Sequence, residues 1–191
     1  GNVYTMSFKK RLYIYVILSF ISMGIVNARS ITIQQTIDWP EFMSSQDMIW
    51  EVLPEYWHES AYLGNGRLGL MIYKEPEKNY IRFETSNCDV HDHREKRDVF
   101  GTPRLLTGHF ALHPEGEIIS GKMRLDLWNA EATTDIVTTK GAIHLKTFVH
   151  ADDMIMIVKA TTEGEEKNFQ WEWIATEANS PRYLFFKNQD K

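Results

Sequence analysis

Apolar and polar positions alternate with a period of two along most of the chain after residue 31. That spacing sends successive side chains to opposite faces of a pleated strand. Two runs are especially regular. In residues 122–127 Met123, Leu125 and Leu127 share one face, and in residues 168–174 Phe169, Trp171 and Trp173 do the same. Both read as half-buried antiparallel strands, one face wet and the other packed. Residues 31–37, 68–73, 80–85, 109–113, 133–138, 142–149 and 154–160 are further strands by the same criterion. Lys140-Gly141 marks a hairpin, and Asp152-Asp153 and Glu163-Gly164-Glu165 punctuate the next two connections. A 3.6-residue period is nearly absent, and no strand–helix–strand rhythm occurs. The pattern predicts an all-β fold, an antiparallel sandwich or barrel.

Two stretches break the alternation. Residues 40–58 are rich in Trp, Met and acids without a steady period. They predict a strap over a sheet face with one helical turn; a binding surface is the other reading their aromatics allow. Near the start, Lys9-Lys10-Arg11 precedes a 15-residue apolar run over residues 12–26 and a small residue, Ala28. Basic flank, short apolar core and small residue are the layout of a secretory signal peptide. A bilayer span needs about 20 predominantly apolar residues. The expectation is upstream residues and a signal peptide over residues 1–28, then one β-sandwich domain over residues 29–191, truncated at its C-terminal end. The product is expected to be secreted or periplasmic, with no stable membrane span after cleavage.

Composition narrows the partners. With 26 acidic against 21 basic side chains and a net charge of −5, the chain has no basic field to hold phosphates, which argues against nucleic acid. A hydrophobic content of 43% suffices for one core. The single cysteine, Cys88, cannot bridge within the chain, so stability rests on packing.

Gly64-Asn-Gly-Arg-Leu-Gly69 matches the dinucleotide fingerprint letter for letter, but that motif must follow a strand and open a helix. Here it leads into strand-like Leu70-Met-Ile-Tyr73, so no nicotinamide cofactor is expected. The glycines read as a turn, with Gly64 and Gly66 available for positive φ. His91-Asp-His-Arg94, preceded by Asp89, lacks the further partners a zinc site needs and reads as a polar loop, with no metal or other cofactor expected. The histidines at 58, 109, 113, 144 and 150 read as surface or satisfied interior residues. Glycoside hydrolysis needs two carboxylates at set separations, and among Glu51, Glu55, Glu59, Glu84, Asp89 and Asp92 no pair stands out; most read as solvated charges.

Residues 57–73, Trp-His-Glu-Ser-Ala-Tyr-Leu-Gly-Asn-Gly-Arg-Leu-Gly-Leu-Met-Ile-Tyr, resemble the opening of the α-L-fucosidase-like glycoside hydrolases of family 95 and their six-hairpin relatives. Residues 123–130, 133–138, Gly141 and 146–158 are similar to later strands of the same domain, in the same order. The resemblance covers roughly residues 50–165. It implies an N-terminal β-super-sandwich packed against an (α/α)6 barrel that carries the catalytic carboxylates, so no residue of this chain is assigned as catalytic. Where the family has an Asn-Glu-x-x-x-Trp-Ser-Gly segment, this chain reads Glu84-Thr-Ser-Asn-Cys-Asp-Val-His-Asp-His-Arg94, which points to a sugar other than fucose. The implied function is hydrolysis of O-glycosidic bonds in oligo- or polysaccharides by the full-length protein. Asn65, Arg67, Asp89, His91, Asp92 and Arg94 are the candidate substrate contacts at the pocket rim. The alternatives are a noncatalytic carbohydrate-binding or adhesion module, and a structural sandwich serving an unrelated enzyme.

Overall fold

A computed structural model describes residues 37–92 and 104–178. The signal-peptide segment, all but the last residue of the strand expected at residues 31–37, Arg94 and the aromatic C-terminal stretch lie outside the described residues. Two compact units divide between Asp38 and Trp39, and the second carries every element described below.

The fold is an all-β antiparallel sandwich. A short helix, α1 (Trp39–Ser44), precedes ten strands. They are β1 (Met48–Trp50), β2 (Ala61–Gly64), β3 (Leu68–Lys74), β4 (Ile81–Asn87), β5 (Gly108–His113), β6 (Ile118–Asp126), β7 (Glu131–Thr138), β8 (Gly141–Val149), β9 (Met156–Gly164) and β10 (Gln170–Ala175). The first sheet runs in the order β1-β6-β7-β8-β9 and the second β10-β5-β4-β3-β2, with every pair antiparallel. All the strands expected from alternation within the described residues form. β1 and β2 were not expected, because each is too short to display a period against its aromatic surroundings.

Alternation sets the core. Met123 and Leu125 of β6, Ala132 and Ile136 of β7, and Ile143 and Leu145 of β8 point inward against Leu63, Leu70, Ile72 and Phe83 of the second sheet. Thr134 and Thr147 are buried on the same inner faces, and their hydroxyls have no partner. The β7–β8 hairpin turns at Gly141, whose φ is +152° and whose added Cβ would meet the Glu163 carbonyl oxygen at 2.0 Å. Only glycine fits there.

Polar side chains lock the connections. Glu166, fully buried, accepts from the backbone N–H groups of Glu115 (2.5 Å) and Gly116 (2.9 Å) and from Thr138 Oγ1 (2.6 Å). Asn79, between β3 and β4, accepts from Ile118 N (2.8 Å) and donates to the Gly116 carbonyl (3.0 Å). Among the described residues no helix is long and apolar enough to cross a membrane.

Candidate functional site: an aromatic groove beside the strap

The strap between α1 and β2 is fixed at three points. The Asp47 carboxylate accepts from Leu127 N (2.9 Å) and Arg124 Nε (2.7 Å), and β1 adds itself to the edge of β6. Leu53, buried, sits against Gly121 of β6, where an added Cβ would come within 2.8 Å of the leucine side chain. At the far end Lys74 N donates to the Pro54 carbonyl (2.8 Å) and Lys74 Nζ to Glu55 (2.9 Å). One helical turn was expected in this stretch; the structure has two helical elements, α1 at its start and a 3-10 turn at its end.

Between this strap and the β2–β3 hairpin runs an open groove of about 830 Å³, within the usual size of ligand clefts. Met48 and Trp50 of β1 form one wall with Val52 and Leu53, and Tyr62 of β2 faces its register partner Met71 of β3 on another. A 3-10 turn, Trp57–Glu59, supplies the rim. That turn is braced: Trp50 Nε1 donates to the Glu59 carbonyl (2.8 Å) and Ser60 Oγ to the Trp57 carbonyl (2.7 Å). Its indole is nonetheless 64% exposed, and Tyr56 and Tyr62 are exposed beside it. Tyr56 stacks on His58, and Trp57 meets the same imidazole edge-on, with centroids 5.6 and 5.5 Å apart. A rigid backbone presenting large rings to water makes an apolar patch that calls for a partner. Glu55 and Glu59 are the acids of the lining. The sequence reading placed these aromatics in a strap. The concentration of Trp, Tyr and acid without a strand period was the signal for the groove.

The residues singled out in the glycine turn have structural partners. Gly66 takes φ +87°, as the turn requires, whereas Gly64 is needed for close approach: an added Cβ would lie 2.9 Å from the Leu68 carbonyl oxygen. Asn65 Oδ1 accepts from Arg67 N (3.0 Å) and Leu68 N (2.8 Å), and its Nδ2 donates to the carbonyls of His150 (2.9 Å) and Asp153 (3.1 Å). It pins the β2–β3 turn to the β8–β9 connection. Arg67 and Asp89 form an exposed pair at 2.6 Å. The hydrogen bond between them raises the guanidinium pKa and lowers that of the carboxyl. His91 bridges to Arg104 through the backbone, and Asp92 is buried. The turn and the 87–92 segment therefore meet through Arg67 and Asp89, beside a second cleft of about 300 Å³ lined by Gly66, Cys88 and Arg104. Among the described residues no three ligating side chains cluster as a metal site would require.

A polar cluster covers the outer face of the second sheet. Glu84, from a set of carboxylates expected to be mostly solvated, is only 5% exposed, and its register partner His109, read as a surface or satisfied interior residue, is 4% exposed. Arg82 forks between Glu84 (2.6 Å) and Glu75 (2.9 Å), and Tyr80 lies 3.5 Å from His109 Nε2. Glu84 Oε1 and His109 Nδ1 have no partner. Burial, then the Arg82 charge, pulls the His109 pKa down. One guanidinium thus bridges both carboxylates.

No family model and no curated protein matches the chain.

Proposed function

We propose that the chain is the N-terminal β-sandwich of an exported glycoside hydrolase, shaping the sugar-facing side of an (α/α)6 catalytic barrel that supplies the acid and base. The observation that carries this reading is that the stretch resembling family 95, residues 57–73, builds the braced Trp57 rim, the β2–β3 hairpin and the Tyr62–Met71 wall of one aromatic groove. Indole and phenol rings cover the apolar C–H face of a pyranose, and carboxylates accept from its hydroxyls. The half-exposed inner face at β10, where Trp171 and Trp173 extend the core, offers apolar area for domain packing.

The same groove also favours the second reading, a noncatalytic carbohydrate-binding module, since it is built without a partner domain. Two measurements test the proposal. The chain passed over immobilised polysaccharides is expected to be retained without releasing reducing ends. Retention on none of them would remove the carbohydrate reading, and release of reducing ends would place the catalytic pair inside this chain. For the hydrolase reading, the coding sequence past Lys191 is expected to continue into paired amphipathic helices; a stop within a few codons would leave the binding module.

A further inference from the structure

We propose that the groove beside Trp57 takes neutral glycans and turns acidic ones away. This rests on the carbohydrate reading above and adds the charge class of the ligand. Residues 37–66, which build α1, β1, the 3-10 turn and β2, contain the carboxylates of Asp38, Glu41, Asp47, Glu51, Glu55 and Glu59 and not one lysine or arginine. The chain as a whole carries 21 of those cations, and the two bonded to the strap's carboxylates, Arg124 on Asp47 and Lys74 on Glu55, come from β6 and β3.

The two acids that matter most line the groove. Glu55 is held by Lys74 at 2.9 Å, whereas the Glu59 carboxylate has its neighbour, His58 Nε2, at 3.9 Å. At physiological ionic strength a charge is felt over about 8 Å, and beside an apolar wall the repulsion between like charges is stronger than in open water. A uronate or sulfate laid along the rings of Trp57 and Tyr62 would be brought against these carboxylates, with one imidazole, His58, and no lysine or arginine in the lining to receive it. A neutral pyranose offers its C–H face to the rings and its hydroxyl hydrogens to Glu59, matching both features at once.

The test is an array of neutral, uronate-bearing and sulfated glycans probed with the full chain, its Trp57→Ala and Trp57→Phe variants, and the double variant Glu55→Gln/Glu59→Gln. Neutral glycans are expected to bind, with binding weakened about tenfold or more by Trp57→Ala and less by Trp57→Phe. Acidic glycans are expected to bind about tenfold or more weakly than neutral ones of equal length, and the double variant is expected to narrow that gap. Acidic glycans bound as tightly as neutral ones, with binding lost in Trp57→Ala, would overturn the charge class while leaving the carbohydrate reading intact. Binding of neither class in a Trp57-dependent way would overturn both. Circular dichroism of each variant separates lost binding from lost fold.

Discussion

Two of the surfaces on which this sandwich exposes tryptophan differ in what stands behind the ring. Trp57 projects from a turn braced by Trp50 and Ser60, on an acidic strap without lysine or arginine. Trp171 and Trp173, 40% and 45% exposed, lie on the inner face of β10 and rest on Phe83 and Phe110, with centroids 5.0 and 4.6 Å apart. Across the interior, Met156, Val158 and Ala160 of β9 are likewise half-buried, while the inner residues of β6, β7 and β8 are sealed beneath β2 and β3. The β10 surface is thus the core continued to an open edge, whereas the Trp57 groove reaches the core through Trp50 and Leu53 of its wall and adds Glu55 and Glu59 at its lining. Similar exposure therefore carries different meanings: rings on an open core edge fit a protein partner, and a ring in a groove whose apolar lining also holds two carboxylates fits the proposed hydroxylated ligand.

Substitutions can break this comparison, in order of expected effect. Phe83→Ala, in the sealed core beneath Trp171, is expected to cost about 3–5 kcal/mol in urea denaturation. Glu166→Ala is expected to cost about 2–4 kcal/mol by leaving two backbone donors and a hydroxyl unpartnered in the interior. Burial alone would raise the Glu166 pKa, but the Thr138, Glu115 and Gly116 donors outweigh it and hold it below its ordinary value of 4.5. Because the folded value is the lower one, that stabilisation is complete above pH 4.5 and is lost as pH falls through the folded value. Denaturation of Glu166→Gln across this acid range should show a flatter slope.

Trp171→Ala is expected to cost about 1–3 kcal/mol, because half of its ring is packed. Trp57→Ala, by contrast, is expected to change stability by no more than about 0.5 kcal/mol while weakening carbohydrate binding about tenfold or more. A large loss of stability there would make Trp57 a core residue and end the contrast. In the opposite direction, Thr134→Val is expected to stabilise by about 1 kcal/mol, since it removes a buried hydroxyl that has no partner. The smallest effect concerns His109. Its folded pKa lies below the ordinary 6.5, so as pH falls beneath that value the unfolded chain takes up the proton first and the fold loses stability. His109→Gln should flatten that dependence.

The fold was legible wherever a strand had one wet and one packed face, as in Met123-Arg-Leu-Asp and Phe169-Gln-Trp-Glu-Trp. Gly141 and Gly164, both at positive φ, mark turns that the residue types alone announced. The groove was less legible, because three-residue β1 shows no period and the contact of Leu53 with Gly121 joins residues far apart in sequence. Burial of Glu84 and His109 was hidden for a related reason. Alternation assigns them to an outer face, and only the fork of Arg82 and the position of Tyr80 remove that face from water. Asn65, legible as a loop residue, proved to be a brace because its partners lie in the β8–β9 connection.

The distinction between the two aromatic surfaces can be read in one spectrum. The chain has six tryptophans, whose indole N–H groups give separate nitrogen–proton correlation signals. Titrating a neutral oligosaccharide that the chain retains should shift the Trp57 signal progressively while those of Trp171 and Trp173 stay in place. Shifts confined to Trp171 and Trp173, with Trp57 unmoved, would contradict the account.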